Sequence, residues 1–201
     1  MRTVHPLTLA ALILGWTAGG HAAPPRASTV TVHVHRKGFL FSSDVDYTMV
    51  APVASSVFDP ERSSVDVVVH ASDLTVVDTA VSTSVRHEVE DTMRGPRVLD
   101  AAAFPDIHFN AAQVTATAPA QYRVAGTLQM HGVAQPLVFE LGGSDAHYHG
   151  RVTLHASDFG IPPLTFVGGV VRMKDEIDVE FDLFSAPPAA PSADAEDHNP
   201  Q

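Results

Sequence analysis

The chain has no cysteine among its 201 residues. No disulfide can hold the fold together, so stability has to come from an apolar core. The same absence leaves nothing to acylate, which excludes a lipoprotein anchor. Basic residues are scarce too: 12 Lys+Arg stand against 23 Asp+Glu, a formal net charge of −11 with His neutral. That balance opposes nucleic-acid backbones and anionic lipid surfaces. A lipid recognised by this chain is expected inside it, not at a charged face. Past the N-terminus, no segment is long and apolar enough for a membrane helix.

The ends of the chain read as processing and linker segments. Arg2, the apolar run at 7–16 and the small residues Gly20-His21-Ala22 are predicted to form a secretory signal peptide over 1–22, cut after Ala22. Its removal takes away Arg2 and no acid, leaving 11 Lys+Arg against 23 Asp+Glu, or −12. Residues 186–201, APPAAPSADAEDHNPQ, are Pro/Ala-rich and acidic and lack large apolar groups. Such a tail buries too little surface to offset its ordering entropy, so it is predicted to be disordered. The segment between, 28–185, is long enough for one core without a second domain.

What the chain does have is period-2 alternation, which puts one set of side chains on each face of a sheet. Tyr122, Val124, Leu128 and Met130 alternate with Arg123, Thr127, Gln129 and His131, and Leu137, Phe139 and Leu141 resume the pattern after a short turn. Two such runs predict a β-hairpin with one apolar face, and His131-Gly132 supplies the turn, Gly132 offering a backbone conformation open to few other residues. Near the C-terminus Ile177, Val179, Phe181 and Leu183 alternate with four acids. Further strands are predicted at 30–35, 39–42 with 47–50, 65–69, 107–114 and 152–156, and a turn at 59–62. Between Ser82 and Pro105 the period changes: Val85, Val89 and Met93 are spaced by four, predicting a helix with one inward stripe that Gly95-Pro96 ends. The sum is an all-β fold of about eight strands with one helical excursion; pattern alone leaves barrel and sandwich both open.

The inward candidates are Phe39, Phe41, Phe109, Leu128, Met130, Phe139, Phe159, Phe166 and Phe181. In a filled core they simply pack; in a hollow barrel they line a cavity. Twelve histidines raise a metal alternative, since His33 with His35 and His147 with His149 share strand faces, yet each pair lacks a third ligand at a telling spacing. No Gly-x-Ser-x-Gly elbow or comparable nucleophile context occurs, Asp158 beside Ser157 reads as a turn, and no enzyme activity or cofactor is expected. The acids at 176–182 are predicted to form a solvated outer face that discourages edge pairing.

Four segments in order, MRGPRVLDAAAFPDIHF, YRVAGTLQMHGVAQPLVFEL, VTLHASDFGI and GGVVRMKDEIDVEFDLF, resemble the YceI family of exported, lipocalin-like proteins. The likeness spans nearly all of 28–185. It is carried by Phe104-Pro105-x-Ile107-x-Phe109, by Gly126-x-Leu128-x-x-His131-Gly132-Val133 and by Asp158-Phe159-Gly160-Ile161. The resemblance implies an extended eight-stranded antiparallel barrel with a helix against it, and a lumen that accepts long apolar chains such as polyisoprenoids and quinone tails. One departure stands out: where many members carry a Gly-His-Asp-His-like sequence, this chain has Ser43-Asp44-Val45-Asp46-Tyr47, so a role for those histidines does not transfer. The expected function is sequestration or transport of a long apolar lipid in the bacterial periplasm or outside the cell. The metal- or haem-handling alternative uses the surface histidines. No nucleic-acid partner and no transmembrane segment in the mature chain are expected, and a homodimer is left open.

Overall fold

The computed structural model describes residues 27–37, 47–59, 63–144, 146–166 and 171–184, the side chains at 36, 37, 165, 166, 171 and 172 excepted. The signal peptide, the strand at 39–42, the centre of the 59–62 turn, the tail at 186–201, and Phe39 and Phe41 lie outside these residues. The strands are β1 (Thr29–Lys37), β2 (Tyr47–Pro52), β3 (Ser55–Asp59), β4 (Ser64–His70), β5 (Thr75–Val76), β6 (Asp106–Ala118), β7 (Gln121–Met130), β8 (Val133–Ser144), β9 (His147–His155), β10 (Thr165–Phe166) and β11 (Val171–Phe184), with one helix, α1 (Thr83–Arg94). All pair antiparallel in a single sheet ordered β3-β4-β6-β7-β8-β9-β11-β1-β2-β5, with β10 beside β11.

That path closes on itself. β2 and β3 are consecutive stretches of one bent strand: the Val53 amide donates to Ser28 O at 2.9 Å and the next amide, Ala54, to Val68 O at 2.8 Å. Successive amides point to opposite sides of a strand, so this strand has β1 on one side and β4 on the other. With β2 and β3 taken together, eight strands form the barrel wall, and β5 and β10 are two-residue additions to it. The sequence reading missed β3, β5 and β10 as separate strands; closure into a barrel resolves the choice it left open.

The hairpin β7–β8 explains two of the glycines quoted above. Met130 pairs with Val133, leaving a two-residue turn in which His131 has φ 51° and Gly132 φ 74°. Two left-handed residues in succession give the turn whose twist suits a hairpin. A Cβ on Gly132 would also lie 2.6 Å from the Phe104 ring. Gly126 faces a bulge in β6, where the register slips between Ala111 and Gln113; a Cβ there would meet the Asn110 carbonyl oxygen at 2.4 Å.

Helix α1 starts at Ser82, whose side chain accepts a hydrogen bond from the Val85 amide, and ends at Gly95 as expected. Its second half is pinned to the barrel: Glu90 accepts from the Val76 amide at 2.8 Å and Arg94 donates to Leu74 O at 2.8 Å. Val89 and Met93 therefore pack on the core. Val85, in the first turn, does not: it is 37% exposed, which corrects the expectation of an unbroken inward stripe.

Candidate ligand-binding lumen

Alternation within each strand gives the barrel an apolar inner wall. Along β11, Ile177, Val179, Phe181 and Leu183 face inward; opposite them stand Val30, Val32 and Val34 of β1 and Val152 and Leu154 of β9. These side chains do not fill the space. A cavity of about 200 Å³ runs between them, lined almost wholly by apolar atoms. On β11 its wall extends from Met173 to Leu183, about 30 Å of strand at ~3.3 Å per residue. At the tilt usual in barrels that is about 22–25 Å along the axis, longer than the roughly 15 Å depth of one leaflet's hydrocarbon.

The two ends of the lumen differ. Below Leu183 and Leu141, Phe58 packs against Tyr148 with ring centroids 4.0 Å apart and planes tilted by 45°, and meets Tyr122 edge-on at 5.5 Å. These rings close the barrel. The other end is lined by Val89 and Met93 of α1, Val98 and Leu99 after it, and Ile161-Pro162-Pro163-Leu164. Among the described residues, Lys174 is the one charged residue that touches the lumen.

Of the aromatic and aliphatic candidates, the structure gathers five around the cavity: Phe109, Leu128, Met130, Phe139 and Phe181. Phe109, Phe139 and Phe181 form a row, with centroids 5.1 and 4.9 Å apart. Phe159 is buried at 2% exposure but lies in a 3-10 turn, Ala156–Phe159, outside the cavity lining. Strand alternation has no bearing on such a turn, which is why the residue was misplaced. Phe166 sits on β10 and its side chain is outside the description. The aliphatic wall from β1, β2 and β4 escaped the candidate list, although its valines alternate as plainly as the phenylalanines do.

Six histidines stand on the outer wall, each facing a carboxylate of the neighbouring strand. His35 meets Asp178 at 3.1 Å, His33 Glu180 at 3.7 Å, His108 Asp66 at 2.8 Å, His70 Asp106 at 2.8 Å and His155 Asp175 at 3.5 Å, while His147 pairs with Asp182. His149 has its ring 6.0 Å from that of His147. Among the described residues, no group of three His, Cys, Asp or Glu is placed to hold a metal ion. The predicted solvated acids are there, and they are engaged. The hydrogen bond from His108 holds the Asp66 carboxyl below its usual range, with Asn110 assisting. Thr153 and then His35 do so for Asp178, Arg151 for Glu180, and the Ser157 hydroxyl and amide for Asp175. Among the described residues no helix is long and apolar enough to cross a membrane.

The family described as YceI-like domain matches residues 22–184. Among solved structures, BcnA of Burkholderia cenocepacia is 17% identical with a TM-score of 0.56, the match covering 79% of this chain and 96% of that one. A YceI protein of Campylobacter jejuni is 16% identical with a TM-score of 0.51, covering 73% and 86%. At such identities the likeness speaks for the fold. Comparison with curated protein sequences gave no match.

Proposed function

The chain belongs to the YceI-like domain family, and from that premise we propose that it carries a long apolar lipid, of the polyisoprenoid or quinone type, inside its barrel. The observation that carries this reading is the elongated apolar cavity: a barrel that had only to be stable would fill that space with its own side chains. Binding is by burial. Each methylene removed from water contributes about 0.8 kcal/mol, so a tail of ~20 carbons offsets the cost of its ordering without a catalytic or metal centre. The role is that of a non-enzymatic carrier or store, and the predicted signal peptide supports a location in the periplasm or outside the cell.

The test is extraction of the purified protein with organic solvent, followed by mass spectrometry. A co-purifying long-chain lipid in near-stoichiometric amount is expected. Recovery of none, together with failure of added isoprenoids to bind the delipidated protein, overturns the proposal.

A further inference from the structure

Strict alternation back from Ile177 along β11 would turn Asp175 into the lumen and Lys174 to the outside. The structure has them the other way round. Between the pairs Val34↔Ile177 and Arg36↔Met173, three residues of β11 lie opposite the single residue His35 of β1. Such bulges re-aim side chains. Asp175 is consequently held on the outer surface, accepting from the Ser157 amide at 2.9 Å and its hydroxyl at 2.7 Å, with His155 3.5 Å away. Lys174 instead borders the cavity while remaining solvent-exposed. Among the described residues it has no side-chain ion pair or hydrogen bond. The same rim carries three more basic positions in register, Arg36 opposite Met173 and Lys37 opposite Arg172.

An ammonium at the water-facing edge of an apolar tube, with no partner and no second charge beside it among the described residues, is arranged for an amphiphile. The stem of a lysine covers apolar surface while its head stays wet, and a cation beside a low-dielectric wall attracts an anion more strongly than it would in open water. We propose that Lys174 anchors the head of the ligand, and that the preferred ligand is a long hydrocarbon ending in an anionic oxygen group, a carboxylate or a phosphate. This assignment rests on the carrier reading and adds to it a polarity for the bound chain: head at the α1 end, tail toward the Phe58–Tyr148 seal.

Displacement of the apolar dye N-phenyl-1-naphthylamine at pH 8 by palmitate, hexadecyl phosphate and hexadecanol tests it. The unmodified protein is expected to bind each anion about tenfold more tightly than the alcohol, the size of one charge-assisted contact, with the advantage shrinking as salt is raised. In Lys174→Gln the anions should fall to within about twofold of the alcohol, whose own affinity is unchanged; Lys174→Arg should keep the preference. Equal binding of alcohol and anions by the unmodified protein, or an anion preference that survives Lys174→Gln, overturns the anchor and leaves the carrier intact. Binding of none of the three overturns the anchor, and the carrier stands or falls with the isoprenoid-binding test above. A preference for only one anion shows whether phosphate or carboxylate is the natural head.

Discussion

Gly132 carries two demands at one position, a left-handed backbone (φ 74°) and room for the Phe104 ring. A left-handed conformation costs a residue with a Cβ about 1–2 kcal/mol, and the ring contact adds to that. Gly132→Ala is therefore expected to lower stability by at least about 1–2 kcal/mol in urea unfolding, with the slope unchanged. The inner wall makes a different demand. Phe139 lines the lumen between Phe109 and Phe181, whereas Asp182, on the outer face of β11, is exposed and paired with His147. Phe139→Arg should abolish lipid retention, because a guanidinium in the lumen must be desolvated or must draw water in. Asp182→Arg should leave it unchanged. Lipid recovered per mole of each folded variant is the measurement, and equal losses would show that retention does not depend on the lumen.

Among the elements, β11 is the one in which the two faces of the barrel are most sharply divided, with apolar residues inside and Asp178, Glu180 and Asp182 outside. Asp178 and Glu180, with Asp175 on the same strand and Asp66 on β4, are hydrogen-bonded and titrate lower in the folded protein than their ordinary values of 3.8 and 4.5. For a depressed carboxyl, the folded state binds fewer protons than the unfolded one. The stabilisation is thus fully present above pH ~5 and is lost as the pH falls through the lowered values. A thermal-unfolding series should show a melting temperature that declines below about pH 4, less steeply in Asp178→Asn; an unchanged slope in that variant would assign the decline to other groups. These exposed pairs are screened by water, so each effect is small. The element scale also shows what the sequence made legible. The long strands and the capped helix could be read because period and capping residues are local signals. β3 could not: in Ser-Ser-Val-Phe-Asp only Phe58 is buried and Val57 is 55% exposed, so no period repeats. The order of strands around the ring was also hidden, since alternation says which face is inside and nothing about neighbours. Lys174 was invisible for the same kind of reason: a bulge breaks the period that a reader would have followed.

Taken whole, the molecule is a tube sealed at one end by Phe58, Tyr122 and Tyr148 and capped at the other by α1 and the Ile161–Leu164 segment. A ligand that binds only the folded barrel stabilises it by mass action: at a hundred times its Kd the gain is about 2.7 kcal/mol, or roughly 5–10 °C in melting temperature for a domain of this size. Delipidated protein should melt lower than protein as isolated and recover on adding the extracted lipid. A melting temperature indifferent to delipidation would mean that the cavity was empty from the start.

The placement of β1 governs the order in which the barrel can be made. It is the first of the described strands to be synthesised, yet one of its two partners is the last of them, and Ser28 is hydrogen-bonded to Phe184 across 156 positions of sequence. A nascent chain has every other wall strand in hand and still cannot join its ends, so closure waits for the final stretch to emerge. Such distant pairing makes for slow folding. For the exported carrier proposed above, that delay would leave the chain unfolded during its passage through a translocon.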